Sequence, residues 1–184
     1  MIAIDWRGLA DTLGTVTQSE NGHSERGGTD VARDALTLIL GDAAMRDAVD
    51  FYVTRGPGSE AARSVLWMLR PPAAMDRCRE IILTSDEEQE AADAANLLQV
   101  VADRRVFDWL PELLASRNIG VRAWTVGIID QLVIMTGEVE LEEAMPLLDK
   151  ALDDPAEQVR DRARQVLEMA EHDARLAEAE QPAA

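Results

Sequence analysis

Apolar residues recur along this chain three, four and seven positions apart, the spacing of helix faces, and short polar or glycine- and proline-bearing breaks separate the runs. Trp6, Leu9, Ala10 and Leu13 form the first face and predict a helix within residues 2–17. Residues 17–29 are polar and glycine-rich and predict the longest loop, a mobile segment over about 18–29. A helix capped by Asp30 should run to Leu40 and stop at Gly41. Asp42 then caps another, carrying Met45, Ala48, Val49, Tyr52 and Val53, which Gly56-Pro57-Gly58 breaks. Ser59 starts the fourth helix, through Arg70, and Pro71-Pro72 ends it.

The second half continues in the same way. Met75, Cys78, Ile82 and Leu83 mark a fifth helix, and Ser85 with Glu88 predicts a capping box for a sixth that runs through Ala102. Val106, Trp109, Leu110, Leu113 and Leu114 mark the seventh. Asn118 can cap the eighth, which ends at Gly137 after Thr136. The ninth spans about Glu140–Asp153. In the tenth, Asp154 is the N-cap, Pro155 takes the first helical position and Glu157 completes the box. A polar tail from about His172 should fray.

Ten helices with short links predict five hairpins, and the helices repeat. Blocks beginning at Val31, Ala61, Ala91 and Val121 lie 30 residues apart without a gap, and one at Val159 follows after 38. Four positions into each block stand Ala35, Val65, Ala95, Thr125 and Ala163, and seven positions in stand Leu38, Met68, Leu98, Ile128 and Val166. All but the threonine are small or apolar. Three columns in register with the hairpin pattern predict stacked units that share one core.

With Leu110-Pro111-Glu112-Leu113-Leu114 and Met145-Pro146-Leu147-Leu148 as proline-bearing first helices, and Asp154-Pro155, Val159-Arg160 and Val121-Arg122 opening second helices, the chain resembles short HEAT-repeat proteins. The motifs cover about Val106–Ala170 best. The earlier blocks have Ala61-Ala62-Arg63 and Ala91-Ala92-Asp93 in place of Val-Arg. The resemblance implies an all-α, right-handed α-solenoid of about five antiparallel helix pairs, a single domain over 1–172 with a polar tail at 173–184. It also implies that the second helices line a concave face. The last helix would close the stack with a polar outer face of Arg160, Asp161, Arg162, Arg164, Glu168 and Glu171.

Composition agrees with a folded helical protein: 47% of residues are hydrophobic, 29% charged and only 4% aromatic. Charge changes the picture more. With 35 acids against 18 bases the formal charge is −17, a surface that repels phosphate backbones and suits a basic protein partner. Nucleic acid is therefore not an expected ligand. Lys150 is the one lysine, which reads as the codon bias of a GC-rich bacterium. Cys78 is the one cysteine, so no intrachain disulfide can form, and no apolar run is long enough for a membrane span. A cytoplasmic protein is the expectation.

Catalytic chemistry has little to stand on. His23 and His172 lie in the glycine-rich stretch and near the tail, and neither joins a serine or cysteine motif. Glu168 and His172 share a helix face but supply only two metal ligands, and Cys78 falls on a core stripe. The acids Asp86, Glu87, Glu88, Glu90 and Asp93 gather at a helix start, where they favour the macrodipole. No cofactor, metal or catalytic residue is expected.

The tryptophans say more. Trp6 and Trp109 belong to core stripes, whereas Trp67 lies six positions past its first-column residue and Trp124 three past its own. At about 100° per residue these fall about 240° and 300° round the helix, so Trp67 should be off the core and Trp124 at its margin. Leu97 shares the Trp67 column, and Asp93, Asp130, Asp161 and Gln165 flank it. Trp67, Asp93, Leu97, Trp124, Asp130, Asp161 and Gln165 are thus the expected partner-binding strip, aromatic anchors among carboxylates. The function expected is a non-enzymatic protein-binding module. A small acidic bacterial immunity or inhibitor protein against a basic toxin fits the size and charge. The alternatives are a general assembly scaffold, self-association, or an enzyme of the glycosylase or lyase type, which the resemblance also admits.

Overall fold

The computed structural model describes residues 4–20 and 22–180, so Ile2, Asn21 and the end of the predicted tail, 181–184, lie outside the described residues. The chain is mostly helical, as predicted, and its contacts divide into two compact units, Met1–Ala74 and Met75–Ala184.

In the first unit, α1 (Trp6–Leu13) is capped by Asp5, whose side chain accepts from the Gly8 amide at 3.0 Å. Where the sequence predicts a loop, two short strands, β1 (Val16–Ser19) and β2 (Gly22–Glu25), pair antiparallel, with Val16 opposite Glu25 and Gln18 opposite His23. The sequence hid this pairing because nearly every residue on both strands is exposed and polar, leaving no hydrophobic alternation to read. Helix α2 (Thr29–Val53) is interrupted at Gly41, whose φ of 77° breaks helical geometry at the predicted point. Its cap is Gly28, with Asp30 in the first turn, so the predicted Asp30 cap is displaced by two residues. Helix α3 (Ser59–Leu69) packs against α2 and ends at Arg70 just before Pro71.

The second unit follows from α4 (Pro72–Thr84), which crosses the boundary. Its buried side is Met75, Cys78, Ile81 and Ile82, while Leu83, placed on that stripe by the sequence, is exposed. Helix α5 is Glu88–Val101. The capping box expected from Ser85 and Glu88 does not form: the Ser85 hydroxyl accepts from the Glu87 amide and donates to the Glu90 carboxylate instead. A 3-10 turn, Arg104–Trp109, leads into α6 (Leu110–Leu113). Asn118 caps α7 (Ile119–Asp130) as predicted, accepting from Gly120 and Val121, and its own amide donates to the Glu88 carbonyl at 2.6 Å. A π-helical turn, Gln131–Met135, carries α7 to Thr136 and the left-handed Gly137. Helix α8 is Leu141–Leu152, and α9 is Glu157–Glu180. Asp154 accepts from the Ala156 amide at 2.8 Å, so Pro155 sits in the turn before α9, outside the helix. No helix among the described residues is long and apolar enough to cross a membrane.

Helix α7 packs between α5 and α9, and α8 packs on α9. Being covered on two sides, α7 buries a wide arc, Val121, Arg122, Thr125, Val126, Gly127, Ile128 and Ile129. Gly120 permits the α5 approach: a Cβ there would stand 2.9 Å from that of Ala92. In this unit the repeat columns are core. Ala91, Ala95, Leu98, Val121, Thr125, Ile128, Val159, Ala163 and Val166 are all buried.

The same columns fail in the first unit. Leu38 is 49% exposed and Met68 53%, and Val65 is exposed as well. Helix α3 buries Leu66 and Leu69 instead, one position later, which amounts to turning the helix by about 100°. The first arm of α2, residues 29–40, contributes no fully buried residue and leaves Leu36, Leu38, Ile39 and Leu40 exposed.

Candidate functional site

Trp124, three positions into its block, stands on α7, and Arg162, three positions into the next, stands on α9. Equivalent positions on neighbouring packed helices face one another, and the Arg162 guanidinium lies over the Trp124 ring at 4.0 Å from its centroid. Such a cation–π contact is worth about 0.5–2 kcal/mol, more as water is excluded. Arg162 Nη1 also donates to the Ala123 carbonyl at 3.2 Å. Arg162 therefore turns inward and is half-buried, a correction to its expected place on a polar outer face.

A cleft of about 180 Å³ opens beside this pair, lined by Gln99 of α5, by Val126, Gly127 and Asp130 of α7, and by Arg162, Gln165, Val166 and Met169 of α9. Gly127 makes the space. A Cβ there would lie 2.8 Å from Gln99 Oε1 and 2.9 Å from Arg162 Nη1. Asp130 is half-buried, and its Oδ1 is covered yet has no hydrogen-bond partner. Burial holds the Asp130 carboxyl above its usual range, against the opposing pull of the Arg162 charge. Burial likewise holds the Arg162 guanidinium below its ordinary value, with Asp130 opposing. Each charge is thus only partly compensated by the other.

A carboxylate whose folded value lies above its unfolded one costs stability while ionised. Near neutral pH that cost is fully present, and it fades as pH falls through the raised value. Asp130→Asn is expected to raise the urea midpoint modestly at neutral pH, and the gain should vanish below about pH 4, the unfolded carboxylate range. A lower midpoint at neutral pH would show that the Arg162 attraction outweighs burial.

Of the seven residues expected on the partner-binding strip, Asp130 and Gln165 line the cleft, and Trp124, half-buried, is tied to it through Arg162. Asp161 pairs along α9 with Arg164, and Asp93 on α5 accepts from Gln89 at 3.1 Å; both are half-buried outside the lining. Leu97 is a correction: it is 0% exposed, because α5 is covered over a wider arc than one helix face. Trp67 is 61% exposed, off the core as its angle predicts, and belongs to α3 in the first unit. Trp6, expected in a core stripe, is 64% exposed, whereas Trp109 is half-buried under Arg79 at 5.0 Å. Sequence reading missed Gln99, Gly127, Arg162 and Met169 as site residues. Column alignment of Trp124 with Arg162 was the one signal that could have found the stacked pair.

No group of three or more histidine, cysteine, aspartate or glutamate side chains is placed to hold a metal among the described residues. Cys78 is buried in the α4 core. No family model, curated protein or solved structure matches the chain.

Proposed function

We propose that this chain is a non-enzymatic protein-binding module, a HEAT-like α-solenoid whose α5–α7–α9 face takes up a basic protein. The observation that carries the reading is the cleft itself. It joins an aromatic ring held by Arg162 to an under-partnered carboxylate on helices packed against one another. Aromatic and charged groups seated on rigid elements are what interface anchors consist of. A formal charge of −17 adds long-range attraction for a positively charged partner. An immunity or inhibitor protein against a basic toxin is the narrowest form of this reading, and a general scaffold the broadest.

The test is retention of partners from a lysate of the native host on immobilised protein. Wild type should retain a basic protein at low salt and release most of it as salt rises. Trp124→Ala combined with Asp161→Ala, with folding checked by circular dichroism, should weaken retention at least about tenfold, the effect of removing one interface anchor. Equal retention by the variant, or a substrate turned over by the purified protein, would overturn the proposal.

A further inference from the structure

The cleft has a size and lining that narrow what can enter it. The cleft itself, at about 180 Å³, falls below the ~300–1,000 Å³ of sites for cofactors and drug-sized ligands and far exceeds the ~10–15 Å³ that one water needs, while a hollow of about 380 Å³ beside it shares Gln165 and Met169. One long side chain is the matching guest. The lining is amphipathic, with Val126, Val166 and Met169 apolar and Gln99, Asp130 and Gln165 polar.

We infer, on the basis of the protein-binding reading, that this cleft seats a single arginine or lysine side chain of the partner, its stem against Val166 and Met169 and its head on Asp130. Three observations select a cation. Arg162 is already engaged by the Trp124 ring and the Ala123 carbonyl, whereas Asp130 has an oxygen with no donor. That oxygen is covered, so the guest's head group meets the carboxylate through its other oxygen, Oδ2, which is not covered. A second hollow shares Gln165 and Met169 with the cleft and adds Glu168, His172 and Asp173. Across both hollows three carboxylates, Asp130, Glu168 and Asp173, face one guanidinium and one imidazole. A partner segment with a second basic residue extends naturally along α9 over Glu168 and Asp173. Gly127 sets access, because any larger residue there drives Gln99 and Arg162 apart or into the cleft.

The probe is a capped peptide, acetyl-Gly-Arg-Gly-Arg-Gly-amide, titrated into the full chain while the indole N–H resonance of Trp124 is followed by NMR. Its glutamate counterpart serves as control. The arginine peptide should shift the resonance saturably and the glutamate peptide should not. Asp130→Asn keeps the shape and should weaken binding at least about tenfold, the scale of losing one charged hydrogen bond. Gly127→Ala should weaken it comparably, and Glu168→Gln, on the exposed hollow, about twofold. The backbone amide spectrum of each variant reports whether the fold persists. No saturable shift, an equal response to the glutamate peptide, or unchanged binding by a folded Asp130→Asn would overturn the assignment. Should Asp130→Asn still retain the basic lysate protein in full, the cleft assignment fails while protein binding stands. Should wild type retain no protein at all, the broader reading fails.

Discussion

Asp154→Ala is expected to lower the unfolding free energy by about 3–5 kcal/mol at neutral pH, because it strands a buried guanidinium. Arg122 and Asp154 are only 11% and 9% exposed as side chains. Arg122 Nε and Nη2 donate to the two carboxylate oxygens at 2.7 and 3.0 Å, and Nη1 donates to the Ser116 and Arg117 carbonyls. Asp154 also accepts from the Ala156 amide ahead of α9. One fork therefore ties the turn before α7 to the turn before α9. The Arg122 hydrogen bonds, then the Ala156 amide and the charges of Arg122 and Arg160, hold the Asp154 carboxyl below its usual range against burial. A depressed folded value contributes stability above the unfolded value of about 3.9 and loses it as pH falls through the folded one. The penalty of Asp154→Ala, measured by urea denaturation, should accordingly shrink below about pH 4. Arg122→Met combined with Asp154→Leu should recover part of the loss by removing both charges together. A loss under about 1 kcal/mol for Asp154→Ala would mean the pair behaves as a solvated surface bridge.

The second large effect separates two residues that the repeat pattern treats as equivalent. Leu98 and Leu38 occupy the same column, yet Leu98 is 0% and Leu38 49% exposed. Leu98→Ala should cost about 2–5 kcal/mol, the lost transfer energy plus the cavity left between close-packed helices. Leu38→Ala should stay within about 0.5 kcal/mol, as surface substitutions do. Equal losses in urea titrations would show that the first-unit column is covered in solution, and with it the exposed run from Leu36 to Leu40.

Much of the helical plan was legible from residues acting on their own neighbourhood. Asn118 caps because its side chain reaches amides two and three positions on, and Gly41 breaks a helix because it alone tolerates that backbone. Pro71 stops α3 for an equally local reason. Local signals also misled where a competitor intervened. Ser85 had the spacing of a capping box, but its hydroxyl went to Glu90, and a hairpin without apolar alternation left only the Asn21-Gly22 dipeptide as a turn signal in the sequence.

Sequence by itself therefore determined the helix-rich class, most helix breaks and, from Ala91 on, which residues make the core columns. Periodicity carries that information because it reports one buried face per helix. The tertiary structure decided what a helix meets on its other flanks. It buried Leu97, rotated α3 by one residue, drew Arg162 inward onto Trp124, and left Asp130 with an oxygen lacking a donor. It also joined Arg122 to Asp154 across 32 positions of chain. These pairings depend on how closely neighbouring helices pack, set by small residues such as Gly120 and Gly127, and no periodicity within one helix encodes that distance.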